Sequence, residues 1–423
     1  MNILKTGLLA GLCTVATTFA APSFADQLPM GDAEALGLNP ARIARLDGTL
    51  KAMVDKGMMP GAVVMLIRDG QIAHLSAMGN RTPDGPEMTE DSIFRIYSMT
   101  KPIVSAAAMM LVEEGRLVLN APVATYIPEF AKLTVATGEV DADGKPETRP
   151  ATRPMTVQDL LRHTSGLTYG FFGTGPAREA YNEAGVGNAD LTGLEQAKLI
   201  ATLPLEHEPG TTWEYSRSTD VLGGVIEAVT GQSLGDVLKA RIFDPLGMED
   251  TDFYVDDAAK HDRIAEAFTD HAKIGPFDMF DPRTRKPSQS GGGGLVSTAH
   301  DYALFAQMML NGGELNGTRL LAPKTVQLMT ANHLEGIAPG KYYLPGPGYG
   351  FGLGYGVRVD AGAPSFGSVG EYYWGGAAGT YYVTDPQEDF IALLMIQSPT
   401  NRVPVRLTFK NLIYPTIEDS KID

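Results

Sequence analysis

Apolar positions follow three successive patterns along the chain. Early on, Gly-Ala-Val-Val-Met-Leu-Ile-Arg and Gln-Ile-Ala-His-Leu-Ser-Ala-Met flank Asp69-Gly70, which predicts a hairpin over 61–79. Residues 103–112, Ile-Val-Ser-Ala-Ala-Ala-Met-Met-Leu-Val, are then apolar on every side and lead to Gly115, a helix stop. A helix without a polar face is buried. Helical patterning dominates from about 102 to 245, and a Pro-, Asp-, Gly- and Thr-rich excursion interrupts it at 134–154. After the run Gly291–Gly294 a further helix is expected around Tyr302–Leu310. From about 349 onward the pattern is that of strands: Tyr355–Val359, Tyr372–Trp374, Thr380–Thr384 and Phe390–Ile396.

Strands, then helices, then strands predict an α+β fold whose sheet is built from both chain ends. The expected sheet subdomain is discontinuous, comprising 26–115 and 290–423, with a mostly helical subdomain at 116–289. Residues 1–25 differ from the rest. Lys5 precedes the apolar stretch Gly7–Ala21, and Ser23-Phe24-Ala25 offers small residues at the −3 and −1 positions. This reads as a secretory signal cleaved near Ala25, giving a periplasmic or secreted protein. Cys13, the one cysteine, falls inside that segment, so the mature chain is expected to have no thiol or disulfide chemistry.

Composition narrows the partners. The mature chain carries 33 basic and 50 acidic residues, a net charge of −17, which argues against nucleic acid and anionic membrane surfaces. No apolar run beyond residue 25 is long enough to span a bilayer. The expected partner is a small molecule.

Candidate chemistry begins at Ser98-Met99-Thr100-Lys101, just ahead of the apolar helix. In its first turn, Ser98 and Lys101 would share one face. A hydroxyl at the positive end of a helix, with an amine in reach, has the parts of an activated nucleophile. The plainer reading is a serine helix cap followed by a solvated lysine. Three other patterns carry less. Gly231-Gln232-Ser233-Leu234-Gly235 matches a nucleophile elbow, but the residues before it are helical in pattern, so Ser233 reads as a helix cap. The seven histidines show no metal-ligand spacing, and His163 reads as structural. The run Gly291–Gly294 lacks the Lys-Ser/Thr of a phosphate loop. No cofactor and no metal are indicated.

Five stretches occur in one order: Ser98–Lys101, Leu160–Leu167 (LLRHTSGL), Tyr215–Asp220 (YSRSTD), Gly291–Asp301 (GGGGLVSTAHD) and Trp374–Thr380 (WGGAAGT). Together they resemble the class C β-lactamase-related serine hydrolases, most of all the family VIII carboxylesterases. The resemblance implies a β-lactamase/transpeptidase-like fold, with an antiparallel sheet flanked by helices. It also implies that Ser98 is the nucleophile, Lys101 and Tyr215 its proton-relay partners, and the N–H groups of Ser98 and Ala377 the oxyanion hole. Either Lys101 or Tyr215 can serve as the base.

Two departures from the β-lactamase pattern bear on the substrate. Trp374 replaces the lysine of the third motif, which removes a charge-assisted contact to a substrate carboxylate. Arg217 replaces the asparagine of the second motif and offers a cation in return. Trp374, with Tyr372, Tyr373 and Tyr381 nearby, favours apolar acyl or alkoxy groups, and Gly375 and Gly376 suit close approach of a substrate to the backbone. The expected activity is hydrolysis of small esters through an acyl-serine. The alternatives are a β-lactamase or D-amino-acid peptidase, or an acyl-binding protein without turnover.

Overall fold

The computed structural model describes residues 28–422, so the expected signal segment and Cys13 lie outside the described residues. Seven strands form one antiparallel sheet: β1 (Gly61–Arg68), β2 (Gln71–Gly79), β3 (Tyr349–Phe351), β4 (Gly356–Arg358), β5 (Tyr372–Gly375), β6 (Tyr381–Asp385) and β7 (Phe390–Ile396). Their order is β3-β4-β5-β6-β7-β1-β2. The β1–β2 hairpin turns at Asp69 and Gly70, with φ of 53° and 70°, as the Asp-Gly pair requires. β7 pairs with β1 from Ala62↔Ile396 to Arg68↔Phe390, joining the two ends of the chain in one sheet.

Every residue of β1 is buried because both faces of the sheet are covered. Ala62, Val64 and Leu66 pack with α1 (Pro40–Asp55) and the C-terminal helix, through Leu46, Leu50, Phe409 and Ile413. Val63, Met65 and Ile67 face the other way, into the core shared by α2 (Thr100–Glu113), α3 (Ser218–Thr230) and α4 (Ala299–Leu310). The C-terminal helix, α5, spans Arg402–Ile413. The excursion at 134–154 is a two-stranded ribbon, Thr134–Val140 against Pro146–Pro150. No helix among the described residues is long and apolar enough to cross a membrane.

The α2 helix is buried over all but its last turn and stops at Gly115, φ 69°. Ser98 does not lie in its first turn, as the sequence suggested, but in a separate 3-10 turn, Tyr97–Met99. Pro102 has no N–H to return to the Ser98 carbonyl, so the turn closes instead through the Thr100 N–H. Nor is Ser98 the cap: the capping position is Met99, and no side chain caps the helix. The elbow-like segment behaves as expected of a cap, with Gly231 left-handed at the end of α3 and Ser233 accepting from Asp236 N–H.

Candidate active site

Lys101 is fully buried and meets three oxygens. Its Nζ donates to Gly292 O at 2.6 Å, Tyr169 Oη at 3.2 Å and Ser98 Oγ at 3.4 Å. Three acceptors match the three N–H bonds of an ammonium. Burial pulls its pKa down, but Tyr169, Tyr215 and Asp220 outweigh that, so the group is held above its ordinary value and stays charged. The Nζ also lies 4.5 Å from the centre of the Tyr215 ring. Tyr169 is pushed up to about 12 by burial, against the pull of Lys101.

Tyr215 is brought here by the stretch between the short strand Thr212–Trp213 and α3. The Leu160–Leu167 segment holds that stretch in place. His163, at φ 57°, places Nδ1 3.2 Å from Ser216 Oγ, and its carbonyl accepts from Glu214 N–H at 2.9 Å. Ser165, Ser216 and Ser218 form a hydroxyl chain with 2.7 Å links. Burial, with Lys101 nearby, pushes His163 well below its usual range, so it is a neutral, structural imidazole. Trp374, on β5, donates from Nε1 to Tyr215 Oη at 3.3 Å. The fold thus brings Ser98, Lys101, Tyr215 and Trp374 together.

The remaining candidate residues have protein partners of their own. Arg217, expected at the substrate, lies 5.0 Å over the Tyr169 ring, with Asp220 at 3.6 Å and the Val186 carbonyl at 3.4 Å. Gly376 is required by the protein's own packing, since a Cβ would come 2.2 Å from Ile96 O, whereas a Cβ on Gly375 would come 2.8 Å from Arg406 Cζ and displace that side chain. Tyr373 and Tyr381 sit on the opposite face of the sheet from Trp374, and Tyr372 packs against Tyr355 in the core. The aromatic surroundings of Tyr215 come instead from Tyr169, Phe172, Trp213 and Trp374, with ring centres 5.5–6.1 Å away.

Three further contributors had no role assigned from sequence: Tyr169 lies outside the motif stretches, and Gly292 and Asp220 lie inside them. Tyr169 lies two residues beyond the Leu160–Leu167 signature. Gly292 acts through its carbonyl, inside the glycine run that opens the Gly291–Asp301 stretch. Asp220 holds that run, accepting from Ser290 Oγ at 2.5 Å and Gly292 N–H at 3.2 Å. Glycine is needed there because a Cβ on Gly292 would come 2.5 Å from Asp220 Oδ2.

The loop after β5 follows directly on Trp374 and Gly375. Ala377 N–H has no acceptor among the described residues. The loop is tied to the segment before Ser98, with Thr380 Oγ1 donating to Ile96 O at 3.3 Å.

A family model described as Beta-lactamase matches residues 46–413. The chain is 38% identical over 368 residues to Protein Rv1367c of Mycobacterium tuberculosis, covering 83% of this chain and 90% of that one. It is 29% identical over 415 residues to Esterase EstB of Burkholderia gladioli, covering 90% of this chain and 98% of that one. Among solved structures, "EstCE1, a hydrolase with promiscuous acyltransferase activity" superposes with a TM-score of 0.74 at 27% identity, over 88% of this chain and 98% of that chain.

Proposed function

The chain belongs to the beta-lactamase family, as a β-lactamase-related serine hydrolase of that fold, and we propose that it is a carboxylesterase acting on small apolar esters. The observation that carries this reading is Trp374. Its indole N–H bonds Tyr215 at 3.3 Å, where the third-motif lysine of a β-lactamase would stand. Arg217 does not restore that cation to the cleft, since Asp220 and the Tyr169 ring engage it. A substrate carboxylate therefore gains little here, and an uncharged ester loses nothing.

In this reading Ser98 Oγ attacks the ester carbonyl carbon while its proton passes to the Tyr215 oxygen. Lys101, already an ammonium with three acceptors, is the electrostatic partner rather than the resting base. Its charge and the Trp374 N–H both stabilise the phenolate form of Tyr215 that accepts the Ser98 proton, and that negative charge is transferred through Ser98 to the reacting carbonyl oxygen. The carbonyl oxygen gains charge against the N–H groups of Ser98 and Ala377. As the C–O bond breaks, the relayed proton goes to the leaving alkoxide. Water then attacks the acyl-serine and releases the acid. By the sequence of residues 1–25, the enzyme works after export, which fractionation of expressing cells would test.

The decisive experiment compares nitrophenyl butyrate with a chromogenic cephalosporin, for wild type and Ser98→Ala. Ester turnover that vanishes in Ser98→Ala, with little cephalosporin cleavage by wild type, is expected. Ester turnover surviving the substitution removes Ser98 as nucleophile. Cephalosporin turnover far exceeding ester turnover instead favours the amide-directed alternative.

A further inference from the structure

Helix α5 sends a cation to the loop that follows β5, and its partners are carbonyls rather than a carboxylate. Arg406 Nε donates to Gly379 O at 3.1 Å, and Nη2 donates to Thr380 O at 2.8 Å and to Gly376 O. Burial and the neighbouring Arg402 pull its pKa down to about 10, against Tyr381, Tyr215 and Tyr373, so it remains a guanidinium at neutral pH. Arg406 is half-buried, and a charged side chain drawn out of water commonly has an acid for a partner. Three carbonyls from one five-residue stretch take that place here.

The choice of carbonyls is informative. Gly376 O and Ala377 N–H belong to the same peptide group. A strong donor on the oxygen of a peptide polarises it and makes the N–H on its other side a better donor. That N–H has no acceptor among the described residues. The local sequence accommodates the contact, since any side chain at Gly375 would collide with the guanidinium. The loop itself is closed by Gly376 N–H to Thr380 O at 2.8 Å and Gly379 N–H to Gly376 O at 3.0 Å. Its far side is pinned by Ser398 N–H to Ala378 O at 2.6 Å.

We infer that Arg406 is a positioning residue of the oxyanion hole, fixing the Gly376–Thr380 loop and polarising the Gly376–Ala377 peptide toward the oxygen that gains charge. The inference rests on the reading of Ala377 N–H as an oxyanion donor. It explains why an uncompensated cation is retained behind the sheet: its field adds to the donors at the reacting carbonyl without touching the substrate.

The test uses a cinnamoyl ester, whose acyl-enzyme gives a vibrational carbonyl band, together with steady-state kinetics on the same ester. In wild type the band should lie below that of the denatured acyl-enzyme. In Arg406→Met it should return toward the denatured position, with kcat lower by about 10- to 100-fold and KM changed by less than about threefold. Arg406→Lys keeps the charge but not the planar fork and should fall between the two. A wild-type band equal to the denatured one overturns the Ala377 assignment itself. A shifted wild-type band that Arg406→Met leaves unmoved overturns the inference alone, even if kcat falls, because a merely structural role would not move the band. If Arg406→Met does not fold, Arg406→Lys decides: a band and kcat matching wild type overturn the proposal, and an upward-shifted band in a folded enzyme supports it.

Discussion

The two ends of β5 are held by buried lysines of opposite character. At its start, Glu371 is fully buried and pairs with Lys410 of α5, while Tyr349 and Tyr414 donate to the same carboxylate. Three tyrosine rings surround that lysine, with centres 5.2–5.9 Å from Nζ. At its end, Trp374 reaches the Tyr215–Lys101 cluster, where Lys101 has two tyrosines for neighbours and, among the described residues, no carboxylate within ion-pair distance. Both lysines are buried among phenols, so burial and aromatic company do not define an active site. What differs is the partner. A lysine locked to a carboxylate has its charge neutralised in place and serves the fold. A lysine facing a serine hydroxyl, a phenol and a carbonyl keeps an unneutralised charge that a reacting oxygen can use.

Lys101→Met and Lys410→Met should separate the two roles most widely. Lys101→Met should lower kcat by about 10²- to 10⁴-fold with the fold intact, measured by ester hydrolysis and circular dichroism. A second reading comes from pH. Because the folded pKa of Lys101 is raised above 10.5, its protonation contributes stability that is full below 10.5 and lost as pH climbs through the folded value. Wild type should therefore lose denaturant stability above pH 10.5 more steeply than Lys101→Met.

Lys410→Met should do the reverse. It strands the Glu371 carboxylate, at an expected cost of about 3–5 kcal/mol in unfolding free energy, while kcat per folded molecule stays within a few-fold. Adding Glu371→Gln should recover part of that loss, as measured by denaturant titration. Equal effects of the two lysine substitutions on kcat would erase the distinction drawn from their partners.

Legibility from sequence followed the same division between local and long-range causes. The β1–β2 hairpin could be read because Asp69-Gly70 supplies both positive φ values within two residues. Ser98 and Lys101 could be read because three residues bring them to one side of a turn. Tyr215 and Trp374 needed the ordered motif set, since each alone is an ordinary core aromatic. Tyr169 is one of 16 tyrosines with no motif of its own. Gly292 contributes a carbonyl, a group every residue has, so only the fold can select it. Arg406 and Lys410, four residues apart on one helix, look identical in sequence, and their different tasks depend on which end of β5 each meets. Tyr373 and Tyr381 were misplaced for a simpler reason: strand alternation puts Tyr373 opposite to Trp374, and the pairing Gly375↔Tyr381 puts Tyr381 on that same far face.

Smaller substitutions sharpen what surrounds Lys101. Tyr169→Phe removes one of its three acceptors while keeping the ring that Arg217 covers and Phe171 packs on at 4.9 Å. One lost hydrogen bond to a charged group, about 1.5 kcal/mol, predicts roughly a tenfold drop in kcat with KM little changed. Unchanged kcat would leave Ser98 Oγ and Gly292 O as sufficient partners for the ammonium.

Asp220→Asn should have the smallest effect, because it acts at one remove. Asp220 accepts from Gly292 N–H, and Gly292 O accepts from Lys101, so the carboxylate sets Lys101 by fixing the Gly292 backbone rather than by contact. An asparagine oxygen can still accept from Gly292 N–H and Ser290 Oγ, which preserves the loop. What disappears is the negative charge that helps hold Lys101 protonated and faces Arg217 at 3.6 Å. The expected loss is about two- to fivefold in kcat, on the order of 0.5–1 kcal/mol. Asp220→Ala removes the acceptor as well and frees Gly292, so it should cost clearly more than Asp220→Asn. Equal losses for the two would mean that charge alone matters, and that the Asp220–Gly292–Lys101 chain transmits no geometry.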